Sequence, residues 1–512
     1  MQRQSRPSRR DARPVAAGVA AAAAALGAGE LTAAVLHPSA SPLLAVGSLV
    51  IDLTPGWLKN AVIESFGSGD KAVLLTLLGV LLLVAAAAAG VLEVRRPPAG
   101  RWVVVVFGVV AAGAAATRTG NSAVDVAPSL TVLALGWLLL GVLTRGARIA
   151  GRAPSGARSR RGFVIVAGTI ALAGGLAALG ADAVTASTRR AAAAVARIRL
   201  PRPVRPLPPV PAAATLSVPG LAPLVTPNAD FYRVDIALAP PAIDPDSWAL
   251  EITGMVARPI RVRYRELLAL PMVEHRTTLL CVSNEVGGDL VGTAAWLGVP
   301  LRDLLARAAP RAGADMVLSS GADGFTASTP LSVLTDARIA VLAVGMNGHV
   351  LPQVHGFPAR MVVPGLYGYV SATKWLTRLQ VTRFDRATAY WTDRGYTAKA
   401  PVKLSSRIDV PASGRTVPAG PVVAAGVAWA PHIGIRRVQV QVDGDPWRDA
   451  VLAEALSLDT WRQWSFRWIA APGSHTLRVR ATDATGLLQT SRVVGVVPNG
   501  ATGLHTVQVT AA

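Results

Sequence analysis

One cysteine occurs in 512 residues: Cys281, inside TTLLCVSNEVGGDLVG (277–292). A lone thiol forms no internal disulfide and supplies no multi-cysteine zinc, iron–sulfur or CxxCH haem site. Three roles stay open. Flanked by Leu279, Leu280 and Val282, Cys281 could be a small buried hydrophobe. It could be a nucleophile, for which His275 is the nearby base in sequence, although no local cysteine-protease signature is present. It could be the single soft ligand of a metal already held by an organic cofactor.

Other chemistry-bearing residues lie downstream. HGFPAR (355–360) supplies His355 and Arg360, ATKW (372–375) supplies Lys374, and WTDRGYTAKAP (391–401) supplies Tyr396. Taken alone, HGFPAR is a turn followed by an arginine, and Tyr396 is a tyrosine at a domain junction. Arg360 carries a bidentate guanidinium fork, and Lys374 a point charge.

These residues need a scaffold. Residues 226–385 alternate β-type runs with turn signals and short helices. WALEITG (248–254), MVLSSGADGFTAS (316–328) and ARMVVPG (359–365) read as strands and turns, while YRELLAL (264–270) and LRDLLARA (301–308) have helical spacing. This predicts a compact α+β domain. Residues 405–510 read differently: VQVQVDGDPW (438–447), WSFRW (464–468) and HTLRVRATDATG (475–486) alternate, with turns between them. They predict an immunoglobulin-like β-sandwich.

The first part of the chain is of another kind. Apolar runs occur at Val15–Leu36, Ala72–Leu92, Trp102–Thr117, Val126–Thr144 and Phe163–Ala181, which predicts about five membrane-spanning helices. Leu43–Leu53 is shorter and reads as a re-entrant or interfacial piece. The net charge of +21 is nearly all arginine, and much of it flanks these runs. With no nucleic-acid motif present, the basic surplus is read as loop charge. Arginines in residues 1–14, 94–101 and 145–162 put those segments in the cytoplasm, so five spans place the remainder outside a plasma membrane. Arg189, Arg190, Arg197, Arg199, Arg202 and Arg205 run against that rule. SRRGFVIVAG (159–168) resembles a twin-arginine export signal, which would carry a folded, cofactor-loaded domain across. His37 is the only histidine of this half, so paired haem ligands are not expected there. The expected division is membrane region 1–186, Pro/Arg-rich linker 187–219, catalytic domain 220–400 and sandwich 401–512, with PRPVRPLPPVPAAA (201–214) a semi-rigid spacer.

Five blocks carry a family resemblance. TTLLCVSNEVGG resembles the molybdenum-binding segment of the sulfite oxidase family, in which Asn follows the strand-end cysteine by three residues, as Asn284 does. ITGMVARPIRVRYRELLALP (252–271) and AAWLGVPLRDLL (294–305) are similar to its flanking segments. HGFPARMVVPGLYGYVSATKWL (355–376) resembles its HGFPxRxxxPG…KW block, and TPNADFYRVDIAL (226–238) its first cofactor-contacting segment. The tail resembles its immunoglobulin-like dimerisation domain, so a homodimer is implied as possible. The resemblance covers roughly residues 220–510.

It implies one Mo-molybdopterin per chain, with the metal held by a pterin dithiolene, oxo groups and the Cys281 thiolate. It places Asn228, Tyr232, Asn284, Gly368 and Tyr369 at the cofactor, and His355, Arg360 and Lys374 at the pterin or its phosphate. Arg233 falls near the metal, and Tyr396 beside oxo group or substrate. The implied activity is two-electron oxo transfer on a small molecule. Electrons would be exchanged with a separate carrier (a cytochrome, a quinone or oxygen), since no haem or iron–sulfur site is encoded. One departure bears on substrate: where sulfite oxidisers have two arginines, this chain has Glu285 and Val286, with Asp289 close by. S-oxide or N-oxide reduction and sulfite-type oxidation both stay open. Two other readings compete. A non-enzymatic, membrane-anchored surface binding protein explains the spans and the sandwich but not the Cys281, His355 and Lys374 blocks. A cofactor-free thiol enzyme requires an exposed, reactive Cys281.

Overall fold

The computed structural model describes residues 12–36, 40–55, 58, 62, 70–117, 123–150, 168, 195 and 197–512. His37, nearly all of the twin-arginine-like stretch and of the fifth apolar run, and most of loop 145–162 lie outside the described residues. Two compact units are formed: residues 1–196 with Ile236–Ala242, and residues 197–235 with 243–512.

The first unit is helical: α1 (Ala12–Leu36), α2 (Pro42–Leu53), α3 (Asp70–Arg95), α4 (Ala99–Ala116) and α5 (Ala127–Ala150). Among the described residues, four helices are long and apolar enough to cross a membrane: Arg13–Leu36, Lys71–Arg95, Ala99–Ala116 and Val124–Arg145. Leu43–Leu53 falls in the short α2, whose first turn is capped by the Ser41 side chain accepting from Leu44 N. Small residues let the helices approach. A Cβ on Gly18 would run into the backbone of Ala86 and Gly90, and one on Gly90 into Pro14 and Gly18. One ion pair of this unit is well defined: buried Glu93 accepts from Arg101 Nε at 3.0 Å, and the Arg101 guanidinium lies over Trp137.

The second unit begins with the proline-rich stretch. It ends in a short 3-10 helix at Ala212–Ala214, and it is fastened to the strand ahead of the lone thiol. Val204 N donates to Met272 O, and Arg276 Nη2 to Pro208 O. The α+β portion follows as β1 (Ala249–Gly254), β2 (Ile260–Arg263), α6 (Tyr264–Leu268), β3 (Val273–Leu280), β4 (Val291–Pro300), α7 (Leu301–Ala308), β5 (Met316–Gly321), β6 (Thr326–Pro330), α8 (Leu331–Thr335), β7 (Val341–Met346), β8 (His349–Val350), β9 (Arg360–Val362), α9 (Gly368–Ser371) and β10 (Leu376–Thr382). One sheet has the order β2-β1-β10-β5-β6, with β1 and β10 parallel; the other has β3-β4-β7-β8, with β9 also on β7. Central β7, VLAVGM, is buried along its whole length, which is why it reads as a continuous apolar run and not as an alternation.

The C-terminal portion is a sandwich of two sheets, β11-β13-β17-β16 and β12-β19-β18-β14-β15. Its strands are β11 (Ser405–Val410), β12 (Thr416–Val417), β13 (Gly420–Trp429), β14 (Ile435–Val442), β15 (Arg448–Asp449), β16 (Val451–Leu452), β17 (Arg462–Ala470), β18 (Gly473–Asp483) and β19 (Thr506–Ala511). Trp464, Phe466 and Trp468 alternate inward from β17 onto Val438, Val440, Leu477 and Val479 of the facing sheet. The turn after β14 uses Asp443 and Gly444, both at positive φ, as a tight hairpin of this twist demands.

Candidate functional site

Cys281 is the first residue past β3. Its N–H donates to Leu290 O at 3.0 Å, which closes the 281–290 loop on itself. Asn284 reinforces the closure: its N–H donates to Cys281 O, and its Oδ1 accepts from Leu290 N at 2.8 Å. The Asn284 side chain therefore shapes the loop that carries the thiol. The sandwich braces the same loop from the other side. Arg407 Nη1 donates to Gly288 O at 2.8 Å, and Gly287, at φ +83°, leaves room only for the His505 ring.

The thiol is buried. Burial pushes its pKa up, while N–H and hydroxyl donors of Ser283 and the Lys374 cation pull it down. Ser283 N lies 3.4 Å from Sγ. Four tyrosines surround this point. Tyr232, Tyr367 and Tyr396 are close enough for a Cys281 thiolate to raise their pKa values; burial is the larger cause for each, and Tyr367 and Tyr396 reach about 12. The Ser283 side chain lies close enough to Tyr396 to pull its pKa down, and the Tyr396 ring meets that of Tyr369 at 5.5 Å. Tyr369 donates its hydroxyl proton to Thr397 O. Gly368 opens α9 against the strand end: a Cβ there would lie 3.4 Å from Leu280 O and 3.9 Å from the Tyr232 hydroxyl.

The cationic side of the site is built from β9 and the segment before β10. Arg360 is 5% exposed and donates to the carbonyls of His355, Met361 and Ala372. Its guanidinium carbon sits 5.0 Å from the Trp296 ring centroid. Among the described residues it has no carboxylate partner, and burial pulls its pKa down to about 10. Lys374 Nζ instead donates to Asp235 Oδ2 at 2.7 Å, and Arg233 Nε donates to the same oxygen at 2.9 Å. Burial lowers Lys374 to about 8 while Asp235 opposes that. Asp323 adjoins this group and is pushed up to about 6, chiefly by burial.

His355 stands between the two. Its Nε2 meets Asn228 O at 2.9 Å, and burial pulls its pKa down to about 4, so it is neutral at pH 7. A neutral imidazole committed to a carbonyl gives no ionic contact to a phosphate. Asn228 spends its amide on Met346 O and accepts from Asn347 Nδ2.

The structure thus brings Cys281, Tyr232, Gly368, Tyr369 and Tyr396 around one point, with Arg360, His355 and Lys374 alongside. Arg233 reaches the cluster through Asp235 and is more exposed than Lys374. Sequence reasoning passed over Asp235, Ser283, Tyr367 and Trp296. Asp235 had one available signal, its place two residues after Arg233 in the same block. Glu285 and Asp289 are exposed, and Val286 is half-buried.

A buried thiol and a buried guanidinium lacking a carboxylate suit a group that carries both a soft metal and an anionic phosphate. Comparison with known proteins points the same way. Residues 237–391 match the family described as "Oxidoreductase molybdopterin binding domain". The chain is 31% identical over 286 residues to mitochondrial sulfite oxidase of Rattus norvegicus, covering 48% of this chain and 52% of that protein. It is 32% identical over 178 residues to nitrate reductase [NAD(P)H] of Hordeum vulgare, covering 30% and 20%. The chain spans about half the length of the sulfite oxidases it matches. A solved structure, the sulfane dehydrogenase SoxCD from Paracoccus pantotrophus, aligns with TM-score 0.49 at 25% identity, over 55% of this chain and 80% of that one. Residues 237–391 thus carry a molybdopterin-binding oxidoreductase domain, and about half of this chain is similar to sulfite oxidases.

Proposed function

We propose that this protein is a membrane-anchored molybdopterin oxidoreductase whose metal is ligated by Cys281 and whose substrate is a small oxo donor or acceptor. The observation that carries the reading is the pairing of Cys281, the sole thiol, with Arg360, a buried cation lacking a carboxylate partner among the described residues. When bound, Mo-molybdopterin supplies two-electron oxo transfer. Cys281 would be its protein ligand, Arg360 and Lys374 would face its phosphate, and His355 and Asn228 would support that wall by their mutual hydrogen bond. Tyr232 and Tyr396 would offer phenolic hydrogen bonds beside the metal. The carrier that exchanges single electrons with the site would be a separate cytochrome, quinone or oxygen.

Substrate charge follows from what faces the thiol. Tyrosines and Ser283 surround it, and the loop that follows carries Glu285 and Val286. A neutral S-oxide or N-oxide fits such a wall better than an anion, which would meet no arginine at positions 285 and 286. Sulfite-type oxidation is the second reading, favoured by relatives that are sulfite oxidases. The apolar helices would anchor the catalytic domain outside a plasma membrane, with division near residues 186, 219 and 400, and the sandwich would be an immunoglobulin-like dimerisation domain.

The test is elemental analysis of the detergent-solubilised full chain beside Cys281→Ser. Near-stoichiometric molybdenum, with a Mo(V) resonance altered in the mutant, supports the reading. Absence of molybdenum from a host that makes the cofactor overturns it in favour of an anchored binding protein. Dimethyl sulfoxide, trimethylamine N-oxide and sulfite, assayed in both directions, then separate the substrate readings.

A further inference from the structure

Four aromatic rings run in series away from the thiol. Tyr369 meets Tyr396 at 5.5 Å between centroids, Tyr396 meets Trp391 at 5.3 Å, and Trp391 meets Tyr390 at 5.3 Å. Near the thiol, the Ser283 side chain adjoins Tyr396, and Ser283 N lies 3.4 Å from Cys281 Sγ. Tyr396 is buried, whereas Trp391 and Tyr390 are partly exposed. The series therefore leads from the thiol to the surface with no gap between rings wider than a side-chain contact. Phenylalanine occupies none of these four places; each holds a ring that can lose an electron. At the outer end the Arg394 guanidinium sits 3.6 Å from the Tyr390 ring centroid. A cation over a ring disfavours loss of an electron from it, so a hole travelling outward comes to rest on Trp391.

We propose that Tyr396 and Trp391 form a hole-transfer path that drains oxidising equivalents from the neighbourhood of Cys281 to the surface. The oxidant is a strong, diffusible one-electron oxidant. It takes one electron from Tyr396, whose phenolic proton leaves to solvent past Ser283, giving a tyrosyl radical. Trp391 then gives one electron to that radical, which takes up one proton and becomes tyrosine again. The indole radical cation on Trp391 loses its ring N–H proton to solvent, and the neutral radical takes one electron from an external one-electron reductant and one proton from solvent to become tryptophan again. Without the path, a hole held among the tyrosines around the thiol can pass to the Cys281 sulfur, whose further oxidation to sulfinic or sulfonic acid is irreversible in the absence of a dedicated repair enzyme.

The test uses the full chain, with and without cofactor, exposed to azide radicals from pulse radiolysis. Cys281 oxidation is read by mass spectrometry and the radical by electron paramagnetic resonance. The wild type carries a tryptophan radical, and Trp391→Phe carries a tyrosyl radical with a severalfold rise in Cys281 oxidation. Trp391→Tyr, smaller than the native ring yet still oxidisable, restores protection. Alkylation of Cys281 at equal rates in all three proteins shows that access has not changed. Wild-type Cys281 oxidation in Trp391→Phe, or failure of Trp391→Tyr to restore protection, overturns the proposal. Because the cofactor-free chain is included, that outcome is separable from failure of the molybdenum assignment.

Discussion

Arg360 lies over Trp296, its guanidinium carbon 5.0 Å from the ring centroid, and spends its N–H groups on three carbonyls. The charge is held in place by groups that cannot neutralise it. Such a site is costly when empty and favourable when an anion arrives.

Arg360→Gln separates these two effects. The amide still donates to carbonyl oxygen, and each hydrogen bond lost costs about 1 kcal/mol. Removal of a buried charge offsets part of that loss. Cofactor-free Arg360→Gln should therefore melt close to the wild type, within about 1 kcal/mol, while molybdenum retention falls sharply. A large loss of stability with normal metal content would make Arg360 a packing residue only.

Cys281 should be a poor nucleophile in the cofactor-free protein. Its pKa is raised, chiefly by burial, so the thiolate fraction at pH 7 lies below that of an ordinary cysteine. Alkylation by iodoacetamide should be slow at pH 7, rise as pH is raised, and become fast on unfolding. Rapid labelling of the folded chain at pH 7 would favour a thiol enzyme.

His355 gives the fold an acid limit. Its pKa is lowered to about 4 in the folded chain, against the usual value of 6.5. Below pH 6.5 the unfolded chain takes up a proton that the folded chain refuses. Stability is therefore fully present above the unfolded pKa and declines as pH falls toward 4, by on the order of 2 kcal/mol. His355→Gln should flatten denaturant midpoints across that window. An unchanged slope would mean that other groups set the acid limit.

Gly287→Ala tests the brace on the 281–290 loop. Its φ of +83° and the His505 ring both oppose a Cβ. The backbone strain alone costs about 1–3 kcal/mol, and the ring contact adds to it. Adding His505→Ala should recover the steric part and leave the backbone part, a non-additivity that a double-mutant cycle reads directly. Full additivity would mean the ring can move aside at no cost.

Legibility in the sequence followed distance along the chain. The apolar run ending at Cys281 and the polar loop after it are local, so the strand end and the turn could be read directly. The helices of the first unit announce themselves by hydropathy, and the sandwich strands by alternation. The partnership of Lys374 with Asp235 spans 139 residues, and no local pattern encodes it. The same holds for Tyr396 against Ser283, and for β1 beside β10, a parallel pairing between strands far apart in sequence. His355 shows a subtler limit. Its family position was legible, but its neutrality and its bond to Asn228 arise from burial, which residue type alone does not report.

Arg407 and His505, which hold the 281–290 loop from the sandwich side, come more than a hundred residues after Cys281. A chain emerging from the ribosome N-terminus first presents its thiol long before either brace exists. The geometry at Cys281 is thus completed by residues made more than a hundred positions later, and a product stalled before Arg407 lacks it. The sandwich therefore sets an order in time on the thiol loop: its sequence comes first and its support from Arg407 and His505 comes later.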